Sequence, residues 1–175
     1  SFPTRRSSDL PLVQLALDGK VTLIAANLAD KEVKKVIKEG FTAVFTSAEI
    51  STFKLDQIPL HIQEHQSRFI QEGHCNMLPP QAIAPMVNGQ IARDVLMANV
   101  INNSQAELII LIAGNGHVRK DIGVFQWLTS YKQMQTQVHG YVEQDSEAYA
   151  SWFDEVHVVD PIDRDDPCKV FSKMK

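Results

Sequence analysis

Apolar positions along the chain follow two periods, and the switches between them divide it into elements. Val33, Val36 and Ile37 recur at helical spacing between Asp30 and Gly40, with lysines on the opposite face. Asp30 can cap this helix and Gly40 can stop it, which predicts a helix over Lys31–Glu39. Val87, Ile91, Val95 and Ala98 form the apolar stripe of a longer helix that ends at Asn103-Ser104. Pro79-Pro80 breaks the chain ahead of it. Pro85 suits a first turn, so the regular part is expected to begin there. A helix from Pro59 to about Gly73 and another near Gly123–Lys132 complete this pattern. Leu12–Leu17 reads as the end of a helix before the turn at Asp18-Gly19.

The second period is that of strands. Leu108–Ala113 is continuously apolar, as expected of a central parallel strand covered on both faces. Val21–Ala25 is a further buried-strand candidate. Phe41–Phe45, Thr136–Val142 and Val156–Val159 are shorter ones, and Thr46–Ile58 reads as a connection. Strands alternating with helices predict an α/β fold: a doubly wound, mainly parallel sheet with helices on both faces. Residues 11–175 show no repeat and no linker, so they read as one domain. Ser1–Leu10 follows neither period. Its string SFPTRRSSDL resembles a translated sequencing adapter and is expected to be a non-native leader before an N-terminally truncated domain.

Composition narrows the classes of function. Apolar residues at 44% and charged residues at 22% are ordinary for a globular domain. A net charge of −4 without clustered Lys/Arg argues against nucleic acid as a partner. No apolar run approaches the roughly 20 residues of a membrane-spanning helix. Two cysteines are too few for a disulfide framework or a Cys-rich zinc site.

Candidate chemistry gathers at a few points. In open α/β sheets, ligands bind beyond the carboxyl ends of the strands. Gly114-Asn115-Gly116-His117 lies at such an end and presents His117, with Arg119 and Asp121 behind it. Its glycines would let the backbone approach a ligand closely; the alternative is a loop histidine satisfied locally. On the long helix, Met86, Gln90, Arg93, Asp94 and Met97 share one stripe. They read either as a site wall or as Arg93 and Asp94 bonding nearby backbone. His74 reads as a helix-end cap or as a metal or haem ligand. His61-Ile62-Gln63-Glu64-His65 matches the inverted zinc-peptidase pattern H-x-x-E-H. Gln63, Glu64 and Gln66 mark that stretch as solvated, and so short a pattern arises by chance.

Several of these segments stand in a recognisable order. They are Ala26-Asn27-Leu28, the His74-Cys75 segment running to Pro79, Gln90 to Ala98 with Arg93-Asp94 inside it, Ala113 to Val124, and Asp163 to Cys168. Together they resemble the ChaN-like family, related to a superfamily that also contains the Tiki and TraB proteins. The resemblance covers residues 21–170. It implies haem as partner, in bacterial iron and haem uptake, at the cell envelope in the periplasm or as an outer-membrane lipoprotein. His74, Gln90, Arg93, Asp94, His117 and Arg119 are then the expected cofactor-binding residues, with Arg93 or Arg119 facing the propionates. No catalytic residue is implied, and a homo-oligomer stays open. The axial ligand is not selected: Tyr131, Tyr141, Tyr149 and the histidines all qualify by residue type. Some relatives in the superfamily are metal-dependent proteases. The alternative is therefore a metal-dependent hydrolase whose divalent ion is held by His74 and His117 together with upstream residues. The family pattern begins with a strand ending in a Gly-Glu-x-His-type motif that is not found before Leu12, so part of the expected site is missing from these residues. An envelope location would permit a Cys75–Cys168 bridge. The residues alone favour two unrelated thiols.

Overall fold

Local sequence sets where the helices begin and end. The computed structural model describes residues 10–144, 146–161 and 168–169. Helix α1 spans Leu10–Asp18 and buries none of its residues. Helix α2 spans Asp30–Glu39, with Ala29 as its N-cap residue. The Glu32 carboxylate accepts the Ala29 N–H at 3.1 Å, and Gly40 closes the helix at φ 82°. Phe41–Phe45 is not the strand its alternation predicts. Phe41–Ala43 forms a 3-10 turn, and the Phe41 and Phe45 rings pack 6.4 Å apart. Helix α3, Ser47–Thr52, lies in a region expected to be a connection. Thr46 starts it with a reciprocal cap to Glu49 at 2.9 and 3.3 Å.

Helix α4 spans Leu60–Gly73, as Pro59 and Gly73 predict. Helix α5 spans Pro80–Asn103 and begins five residues before the expected Pro85. Pro80 takes the first position, where no N–H is needed. Pro85 leaves only the Gln81 carbonyl without its helical donor, close to the helix start. Helix α6, Asn115–Val118, is a single turn. The helix expected over Gly123–Lys132 splits into a 3-10 turn at Val124–Trp127 and helix α7, Ser130–Met134. Thr129 restarts the chain by accepting the Lys132 N–H at 3.4 Å.

The expected doubly wound sheet is not formed among the described residues. Strands β1 (His139–Val142) and β2 (Glu155–Val158) pair in parallel, with His139 opposite Glu155 and Tyr141 opposite His157. The expected central strand, Leu108–Ala113, carries no ladder. Its burial still alternates: Leu111 and Ala113 pack on the core, while Leu108, Ile110 and Ile112 stand 77%, 75% and 64% exposed. Val21–Ala25 is likewise unpaired, with Val21 60% exposed. Both segments have the period and side chains of strands, but a ladder also requires a neighbouring backbone.

The core lies to one side of these segments. Helices α2 and α4 pack against α5. Val33, Val36, Ile62, Ile70, Val87, Ile91, Val95 and Ala98 are buried in one cluster, and Val138, Val142 and Phe153 form a smaller one. Cys75 and Cys168 are bridged across 93 residues, with Cα atoms 5.6 Å apart, rather than being unrelated thiols. No described helix is long and apolar enough to cross a membrane.

Candidate functional site

Asp94 sits midway along α5 with no solvent exposure, and it keeps two polar partners. His117 Nδ1 lies 2.6 Å from one carboxylate oxygen. Gln66 Nε2 approaches the other at 3.4 Å and also donates to the Ile122 carbonyl at 3.1 Å. Burial pushes the Asp94 carboxyl up from 3.8 to about 6, against the opposing pull of the His117 hydrogen bond and the His117 and Arg93 charges. The ionised carboxylate accepts from Nδ1–H, which leaves Nε2 of a partly exposed ring directed elsewhere. A carboxylate that orients an imidazole in this way prepares it to ligate a metal or to accept a proton.

Gln66 is the residue sequence reasoning missed, because its polar neighbours made the stretch look solvated. Ile62, Gln66 and Ile70 follow at spacings of four, and all three are buried. A glutamine within an apolar stripe was the available signal. Gly116 also differs from expectation. A Cβ there would lie 2.6 Å from the Phe69 ring, so the missing side chain serves first to let this turn pack against α4.

The remaining expected site residues divide. Arg93 turns away from Asp94, since adjacent helical residues point about 100° apart. It donates to Asn27 Oδ1 at 2.9 Å and the Leu28 carbonyl at 3.3 Å, and pairs with Asp30 at 3.2 Å. That ties α5 to the start of α2. Gln90 lies one turn before Asp94 and is half-buried. His74 Nδ1 meets the Ile70 carbonyl of its own helix at 2.8 Å, the helix-end contact. Arg119 is buried, holds Asp121 with two bonds of 2.9 and 2.5 Å, and lies 3.4 Å above the centre of the Trp152 ring. His65 stands 3.3 Å from the same Asp121, while His61 and Glu64 are exposed. Among the described residues, neither the H-x-x-E-H segment nor the His74 and His117 pair gathers a three-ligand metal cluster.

Comparison with known families decides the kinship. The family described as haem-binding uptake, ChaN, of the Tiki superfamily matches residues 4–128. The chain belongs to that ChaN family. No curated protein and no solved structure gives a match. Within this ChaN-family chain, the matched residues carry Asp94, His117 and Arg119. The match ends at Leu128, ahead of both strands.

Two adjoining clefts open where the α6 turn meets the end of β1. One, of about 400 Å³, is lined by Asn115, Tyr141, Val142, Glu143, Gln144 and Tyr149. The other, of about 170 Å³, is lined by Phe69, Asn115, Gly116, Arg119, Val142, Tyr149, Trp152 and Phe153. Asn115 fixes their junction by donating to the Tyr141 carbonyl at 2.6 Å. The smaller cleft has mainly aromatic walls, while the larger is mainly polar, with Asn115, Glu143 and Gln144 beside the phenols of Tyr141 and Tyr149. Arg119 is committed to Asp121 and stacked on Trp152, so it is not a free cation for a propionate.

Proposed function

We propose that this chain binds haem as the cargo of bacterial haem uptake, in the joined clefts between the α6 turn and the segment 141–153. The observation that carries the reading is that family-matched Asn115, Gly116 and Arg119 line two adjoining clefts together with Tyr141 and Tyr149, Asn115 and Tyr149 being common to both. Phe69, Trp152 and Phe153 would flank the porphyrin, and a phenolate from Tyr141 or Tyr149 would supply the axial oxygen. Tyr131, the third tyrosine, lies on α7 and lines neither cleft. The Asp94–His117 pair stands behind the same turn and holds its geometry. An envelope location belongs to this reading; the Cys75–Cys168 bridge supports it, because disulfides persist in oxidising compartments.

The test is a haem titration of the full chain followed at the Soret band. The expected result is a saturable shift that the Tyr141→Phe, Tyr149→Phe double variant loses, while Tyr131→Phe keeps it. No shift in the unsubstituted chain would refute the proposal. An unchanged shift in the double variant would move the axial donor elsewhere.

A further inference from the structure

The outer face of the two-stranded sheet carries a cluster that the cleft does not use. Residues two apart on a strand share a face, and the parallel register sets His139 opposite Glu155 and Tyr141 opposite His157. His139 Nδ1 and His157 Nε2 lie 3.1 Å apart. The Glu155 carboxylate reaches both rings, at 3.4 Å from His139 Nδ1 and 3.8 Å from His157 Nε2. The three donor atoms lie within 4.8 Å of one another. Tyr141 stacks on the His157 ring at 4.7 Å between centres and limits its rotation.

We propose that His139, Glu155 and His157 form a binding site for a divalent first-row transition-metal ion of the zinc, cobalt or nickel type. Metal–nitrogen and metal–oxygen bonds of about 2.0–2.2 Å put two ligand atoms on one ion roughly 2.9–3.5 Å apart, from a right angle to a tetrahedral one. The 3.1 and 3.4 Å separations already fall in that range. The 3.8 Å separation is measured to the other carboxylate oxygen, Oε1, and a turn of the exposed Glu155 side chain brings one oxygen within reach of both rings. A neutral histidine pair can satisfy one nitrogen by an N–H···N bond, whereas an ion satisfies both lone pairs and the carboxylate charge together. Two imidazoles favour borderline transition metals over calcium or magnesium, which prefer all-oxygen ligands. Three protein donors leave a position open to water or to an incoming ligand. None of the three residues lines the cleft, although Tyr141, which stacks on His157, borders both cleft and cluster, so the site is tested with the metal alone.

The test uses the full chain with Zn2+ or Co2+ alone. One Co2+ per chain is expected, with the visible absorption of a four- or five-coordinate ion. His139→Ala and His157→Ala should each weaken Zn2+ binding at least about a hundredfold, beyond the tenfold to hundredfold cost of losing a supporting contact. Glu155→Gln should weaken it at least about tenfold, and His61→Ala should leave it unchanged. In the unsubstituted protein, Zn2+ should slow diethyl pyrocarbonate modification of His139 and His157 but not of His61, which needs no variant to fold. Undiminished affinity in the histidine variants, or protection of His61 instead, would overturn the proposal. So would loss of the haem Soret shift in those variants with no metal binding in the unsubstituted chain, since the cluster would then be a haem ligand.

Discussion

Asp94 shows how one buried charge can tie a site to the core around it. Its carboxyl binds a proton more tightly in the folded chain than in the unfolded one, at about 6 against 3.8. Protonation of this one group therefore favours folding. Its contribution is full below pH 3.8 and is lost as the pH rises through about 6. Asp94→Asn cannot ionise and removes that dependence. Its stability relative to the unsubstituted protein should rise across the interval from pH 4 to 6, read as the difference in urea midpoints over a pH series. Parallel profiles would mean that His117 neutralises the charge throughout. Of the expected site residues, Asp94 and His117 meet; the residues alone set one on a polar stripe and the other in a glycine-rich turn, and only the family resemblance grouped them. Arg93 was legible as polar but not in direction, because a one-residue step around the helix sends it to Asn27 and Asp30.

At the scale of elements, close packing of α2 on α5 decides the shape of the core. A Cβ at Gly89 would lie 3.1 Å from Ile37 Cγ1 and 3.3 Å from Val33 Cγ1. Gly89→Leu should force the helices apart and cost about 1–3 kcal/mol, as overpacked cores do. Asn88→Ala, its half-buried neighbour, should change stability much less, with both followed by circular dichroism in urea. Helices α2, α4 and α5 were readable because caps, prolines and a 3.6-residue stripe are local signals. The two strands were readable to within three residues for the same reason. What pairs with a strand is a non-local question. Leu108–Ala113 keeps its alternation and still shows Leu108 and Ile110 to solvent, so its composition predicted a strand but could not name a neighbour. The 3-10 turn at Phe41–Ala43 failed to show for the opposite reason, since two phenylalanines at spacing four satisfy both periods.

Across the whole molecule, the bridge between Cys75 and Cys168 joins the end of α4 to the chain beyond β2. It encloses the long helix, the α6 turn and both strands. Closing a loop of that length restricts the unfolded chain and should stabilise the fold by about 2–4 kcal/mol. Reduction, or Cys168→Ser, should lower the melting temperature, measured by calorimetry with and without reductant. An unchanged transition would show that the bridge holds only the terminal residues. The cleft draws its two walls from either side of the end of the family match, with Phe69, Asn115, Gly116 and Arg119 within it and Tyr141, Tyr149, Trp152 and Phe153 beyond it.

The position of Arg119 over Trp152 has an optical consequence. The chain has two tryptophans. Trp127 is buried in the main cluster, and Trp152 lines the cleft beneath a guanidinium. Their emission therefore reports separate events, one the integrity of the core and the other occupation of the cleft. With Trp127→Phe, the remaining indole becomes an intrinsic fluorophore for the cleft alone. A bound porphyrin would quench it by energy transfer, and reduction of the distant disulfide would register there only if the two walls part.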